Sequence, residues 1–140
     1  ARMGGGLVRN PLALLPLLGL ILVGLSLTAG GCDTEAAGVK SVVKAYYDAV
    51  AQGDGQEQVA LWVPDRRENA TREAEAWARR DKEGLNLTEV HVDSGPAGDQ
   101  RIVHVTLSIE DKARTGKRRY ESRVLLMQLV DGKWLIRDVR

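Results

Sequence analysis

At Gly84 the hydrophobic period of this chain changes, and that change limits what it can fold into more than any other feature. From Val39 to Trp77 apolar residues return every three or four positions, whereas from Leu85 to Val139 they alternate. The first spacing lays an apolar stripe along a helix; the second gives a strand one apolar face. In "GVKSVVKAYYDAVAQGDG", Val39, Val42, Val43, Tyr46, Tyr47 and Val50 share a helical face, and Gly53 fits the C-terminal stop. Asp54 with Glu57 forms a capping box for a short second helix, "QEQVALWV", which Pro64 ends. A third helix is expected in "DRRENATREAEAWARRDKEG", with Ala70, Ala74, Trp77 and Ala78 turned inward and Gly84 closing it. Its remaining faces are densely charged, as a solvated surface is.

The alternating part divides into four strands. "LTEVHVDS" and "RIVHVTLSI" flank "GPAGDQ", and "YESRVLLMQLV" meets "KWLIRDV" across Asp131-Gly132, the strongest short-range hairpin signal. Three helices followed by an antiparallel meander is an α+β layout with the helices on one face. The Asp131-Gly132 turn sets a register in which Val130 pairs with Lys133, Leu129 with Trp134, Met127 with Ile136 and Leu125 with Asp138. Leu125, Met127, Leu129, Trp134 and Ile136 then form the face beneath the helices, and Asp138 lies on it. The opposite face carries Val124, Leu126, Leu135 and Val139, so it is either covered again or pairs with another chain.

Ahead of the helical region, Arg2 and Arg9 precede an uncharged stretch from Asn10 to Cys32, interrupted by Pro16, Gly19 and Gly24. A basic start, an apolar middle and small residues at a cut site make a secretory signal. The run is almost long enough for a transmembrane helix of ~20 residues, but its interruptions suit one poorly. Thr28, Ala29, Gly30, Gly31 and Cys32 resemble the lipobox of bacterial lipoproteins. That resemblance implies a diacylglyceryl group on the Cys32 thiol, cleavage before it, and a protein held on the outer side of the cell membrane. Asp33 resembles the inner-membrane retention signal of two-membraned bacteria. The expected layout is a signal peptide over 1–31, a short tether over 32–38 and one domain over 39–140. Loss of Arg2 and Arg9 lowers Lys+Arg from 20 to 18 against 19 Asp+Glu, a net of −1. Without a basic excess, electrostatic binding to nucleic acid is disfavoured. Cys32 is the one cysteine, so the domain is stabilised by packing without a disulfide.

"VVKAYYDAVAQGD", "ALWVPD" and "DGKWLIRDV", spread from Val39 to Val139, resemble the NTF2-like superfamily, in particular small bacterial lipoproteins with an uncharacterised domain of that cone-shaped fold. The resemblance implies a curved four-stranded sheet wrapped round a long helix, often with a hollow between them. Its members include isomerases, dehydratases, cyclases, transport adaptors and domains without known activity, so fold alone does not assign chemistry.

Candidate residues follow. Tyr46, Tyr47, Trp62 and Trp134 could line such a hollow, although at helical or strand spacing they equally make ordinary core. Asp138 at its edge would have a raised pKa and suit a general base; the alternative is an ion pair with Arg123 or Arg140. His91 and His104 should face each other across neighbouring strands, with Glu89 or Asp93 nearby, but without HxH or HExxH spacing no metal is expected. No GxSxG or Walker A motif is present, and no cofactor is expected. The function expected is non-catalytic binding of a small apolar ligand or an envelope protein. An isomerase- or dehydratase-type enzyme using Asp138, and an assembly subunit dimerising through the outer sheet face, are the alternatives.

Overall fold

The computed structural model describes residues 31–114 and 116–140, without the side chains of 31–33. The expected leader and the thiol of Cys32 lie outside that description. Helix α1 is Gly31–Gln52, α2 is Gly55–Ala60, and a 3-10 turn at Pro64–Arg66 leads into α3, Arg67–Ala78. Strands β1 (Asn86–Ser94), β2 (Gln100–Glu110), β3 (Arg118–Val130) and β4 (Lys133–Val139) form one antiparallel sheet in the order β1-β2-β3-β4. Among the described residues no helix is long and apolar enough to cross a membrane.

Helix α1 starts earlier than its apolar stripe. The expected tether of residues 32–38 is helical, because Thr-Glu-Ala-Ala contains no strong breaker; the stripe from Val39 marks only the buried length. Gly38 sits inside the helix against Trp134, where a Cβ would stand 3.7 Å from the indole. The Asp54 carboxylate caps α2 by accepting the Glu57 N–H at 3.1 Å. Helix α3 ends at Ala78 rather than at Gly84. Trp77 is its last buried residue, and a helical turn with nothing to bury has little to hold it. Ala70 and Trp77 face inward as expected, but Ala78 is exposed and Ala74 half-buried, because both border a groove against α2.

The core lies between α1, α3 and one sheet face. Val39, Val43, Tyr46 and Val50 from α1 meet Val103, Val105, Leu107, Ile109, Leu125, Met127 and Ile136, all almost fully buried. The β3–β4 register follows the turn from Val130↔Lys133 to Met127↔Ile136, then slips. Leu126 pairs with Asp138 and Leu125 with Val139, leaving Arg137 as the extra residue of a β-bulge. The expected Leu125–Asp138 pair is therefore wrong. The bulge turns Asp138 to the outer face and delivers Val139, expected outside, against the core. It sits where Leu61–Val63 runs along the β4 edge. The Ile136 N–H donates to the Leu61 carbonyl, the Val63 N–H donates to the Ile136 carbonyl, and Arg137 reaches Asp65 at 3.5 Å. An apolar residue rather than a carboxylate thereby enters the interior, which avoids a desolvation cost. Leu129 keeps its inward register but is exposed at the hairpin end.

Strand β3 also outruns its neighbour. It pairs with β2 along its length, whereas β4 begins to cover it only at Val124, which exchanges two backbone hydrogen bonds of 2.8 Å with Arg140.

Candidate functional site

Tyr46 and Tyr47 are consecutive on α1, and their rings meet edge to face with centroids 5.0 Å apart. Both are buried, as are Trp62 and, at its edge, Trp134. All four belong to the packed core. Three of them carry polar atoms that no protein group satisfies among the described residues: Tyr46 Oη, Tyr47 Oη and Trp62 Nε1, joined by Oε1 of buried Gln58. Trp62 approaches Tyr46 closely enough to favour its ionised form, yet the pair misses hydrogen-bond geometry. A buried polar group without a partner costs about 1–3 kcal/mol, so such a cluster needs a reason. Burial pushes both phenols well above the usual tyrosine range; Glu73 adds to the rise at Tyr46, and Arg123 opposes it at both.

Those two charges belong to a hollow between α3, the middle of β3 and the C-terminal end of β4. It is an open recess of about 290 Å³ lined by Glu73, Ala76, Trp77, Arg80, Arg123, Val139 and Arg140. The Trp77 ring has the Arg80 guanidinium 4.4 Å from its centroid and that of Arg123 at 6.0 Å, within cation–π range. Glu121 holds both arginines, one carboxylate oxygen accepting from Arg80 and the other from Arg123 at 3.2 Å. Burial raises the pKa of the Glu73 carboxyl; Arg123 and Arg80 restrain the rise, and Asp138 adds to it. A carboxyl held up by burial, an indole wall and two positioned guanidiniums can bind a small molecule with an apolar body and polar ends, or move a proton to or from it.

The structure separates the expected site residues. Asp138 faces the outer side, where Arg140 Nε donates to Oδ2 at 3.1 Å and the Val139 N–H to Oδ1 at 3.0 Å. It borders an outer-face depression with Pro96, Ile102, Val124 and Leu126. The rim ion pair with Arg140 is the arrangement present, so Asp138 is not placed as a base inside the cone. Glu73 is the carboxylate that reasoning from sequence overlooked. Its signal was legible: it stands three positions after Ala70 and four before Trp77, on the margin of the buried stripe. A larger, more open groove of about 640 Å³ lies between α2 and α3, edged by Val59, Ala60, Ala74 and Ala78 with Gln56, Arg67, Thr71 and Glu75 along its sides.

No protein-family model matches the chain, and neither does any curated protein. Solved structures do. An NTF2-like protein of unknown function from Pseudomonas putida KT2440 is 14% identical with a TM-score of 0.59, covering 75% of this chain and 84% of that one. Another from Shewanella oneidensis MR-1 is 12% identical at TM-score 0.56, covering 75% and 96%. The fold is NTF2-like. A candidate dehydratase of the NTF2-like family from Streptomyces avermitilis is 21% identical at TM-score 0.56, covering 76% and 94%. Within this NTF2-like fold the Trp77 hollow opens between helix and sheet, and the sheet's outer face carries Asp138 and the two histidines.

Proposed function

We propose that this NTF2-like domain is tethered by a lipid on Cys32 to the outer side of the cell membrane and binds a small ligand in the Trp77 hollow, without catalysing a reaction. The observation that carries the ligand reading is the convergence of Glu73, Arg80 and Arg123 around one indole wall in a recess of about 290 Å³. That volume suits a small molecule at the lower end of ordinary ligand sites. Its apolar body lies on Ala76 and Val139, and its polar ends meet the charged rim that Trp77 supports from beneath. The basic start, uncharged leader and small residues before Cys32 support the tether. Each buried methylene contributes about 0.8 kcal/mol, so two acyl chains hold stably where one does not.

Native mass spectrometry of the protein purified from membranes tests both halves. The expected spectrum shows a mass beginning at a diacylated Cys32 together with a small molecule displaced in Glu73→Gln or Arg80→Gln. An intact leader with a bare thiol removes the tether; a ligand retained equally by both variants removes the hollow. Catalysis is the second reading, favoured by the raised pKa of Glu73 in that recess. It requires Glu73→Gln to abolish a turnover that Asp138→Asn leaves intact.

A further inference from the structure

Outside the hollow, one constellation of chemistry-bearing side chains remains unused. His91 on β1 and His104 on β2 are directly opposed across the sheet, and Asp93 stands two positions beyond His91 on the same outer face. Both imidazoles turn to that carboxylate. His91 Nε2 lies 2.9 Å from Asp93 Oδ1, and His104 Nε2 lies 3.4 Å from Oδ2. The ring centroids are 6.4 Å apart.

We propose that His91, His104 and Asp93 form a binding site for a borderline divalent cation, Zn²⁺ foremost. Two imidazoles and one carboxylate are a ligand set that zinc accepts, with the fourth position left to water or an incoming donor. Ca²⁺ and Mg²⁺ require more oxygen ligands than this set offers. Adjacent ligands at ~2.0 Å from a tetrahedral ion stand ~3.3 Å apart, and the two nitrogen–oxygen separations bracket that spacing. As the side chains stand, no group of three or more His, Cys, Asp or Glu among the described residues could hold a metal ion, this trio included. The rings must pivot so that the ion, rather than a proton, stands between nitrogen and oxygen. They have the room: the His91, His104 and Asp93 side chains are 73%, 53% and 50% exposed. The backbone beneath them is a paired ladder, so the separation of the two histidines is set by the sheet, and only side-chain torsions change. Beside the imidazoles lies a depression of about 440 Å³ that includes Glu89, Thr106 and Ser122, where the fourth ligand would stand.

Equilibrium dialysis of the tag-free full chain in detergent against zinc chloride, with metal counted by mass spectrometry, tests the site. Imidazole nitrogen shifts are read by NMR on the same samples. The expected result is one Zn²⁺ per chain, shifts at Nε2 of both histidines, and affinity lowered more than about tenfold in each of His91→Gln, His104→Gln and Asp93→Asn. Because these side chains are exposed, each variant should keep the parent's circular dichroism. Absence of saturable binding overturns the proposal. So does zinc retained by the His91→Gln, His104→Gln double variant, or binding that leaves either imidazole unshifted.

Discussion

Tyr46 and Tyr47 stand about 100° apart around α1, yet both rings are buried, so the helix is enclosed on a wide arc rather than a narrow seam. Their hydroxyls have no hydrogen-bond partner among the described residues, and the physical consequence can be measured. Folded-state phenol pKa values are raised above the ordinary value of 10.0, so the unfolded chain releases these protons first. Stability contributed by the neutral phenols should therefore be complete below pH 10 and fall as pH rises beyond it. In a Tyr120→Phe background, which leaves the two buried phenols as the only tyrosines, alkaline titration should show tyrosinate absorbance appearing together with loss of the far-ultraviolet helix signal, rather than ahead of it. Removing one orphan should help: Tyr46→Phe is expected to stabilise the fold by about 1 kcal/mol in urea denaturation. Glu73 adds a second pH dependence. Its folded pKa lies above the ordinary 4.5, so the fold takes up a proton there, and stability should rise as pH falls through that raised value. Glu73→Gln should abolish this segment of the pH–stability curve. The buried stripe was legible from residue spacing, and so were Tyr46 and Tyr47 within it. Which polar groups would lack partners was not, because that depends on contacts between α1 and Trp62 that no local pattern encodes.

Turns and bulges decide what each strand presents. Asp131 and Gly132 both have positive φ, 50° and 79°, as a two-residue hairpin with the sheet's twist requires. Gly132→Ala should destabilise by about 1 kcal/mol in chemical denaturation, with the same midpoint by fluorescence and circular dichroism. Gly95 is under a different constraint. A Cβ there would fall 2.5 Å from the Gln100 backbone, so Gly95→Ala must open the β1–β2 connection. A larger loss than at Gly132 is expected, together with a disturbed His91–His104 pairing in nuclear Overhauser contacts. The strand positions and the first half of the β3–β4 register followed from alternation and a two-residue turn. The bulge at Arg137 did not, since its edge is occupied by Leu61–Val63, a segment remote in sequence. One inserted residue moved the leading candidate base, Asp138, from the inside of the sheet to the outside.

At the scale of the molecule, a single apolar core connects α1, α3 and the inner face of all four strands' meander. Trp77 joins that core to the hollow: its ring is buried while the arginines above it remain part of the rim. Trp77→Ala is expected to cost about 3–5 kcal/mol in urea unfolding and to abolish ligand-linked stabilisation. The length by which β3 outruns β4 has a bearing on how the protein keeps its own company. A strand margin left without a neighbour invites copies of itself to stack into fibres. Here that stretch is punctuated by Arg119, Glu121 and Arg123, whose like charges would be brought into alignment by any identical strand added in parallel register. Exchanging all three for threonine should convert a stable solution into one that slowly deposits thioflavin-positive filaments.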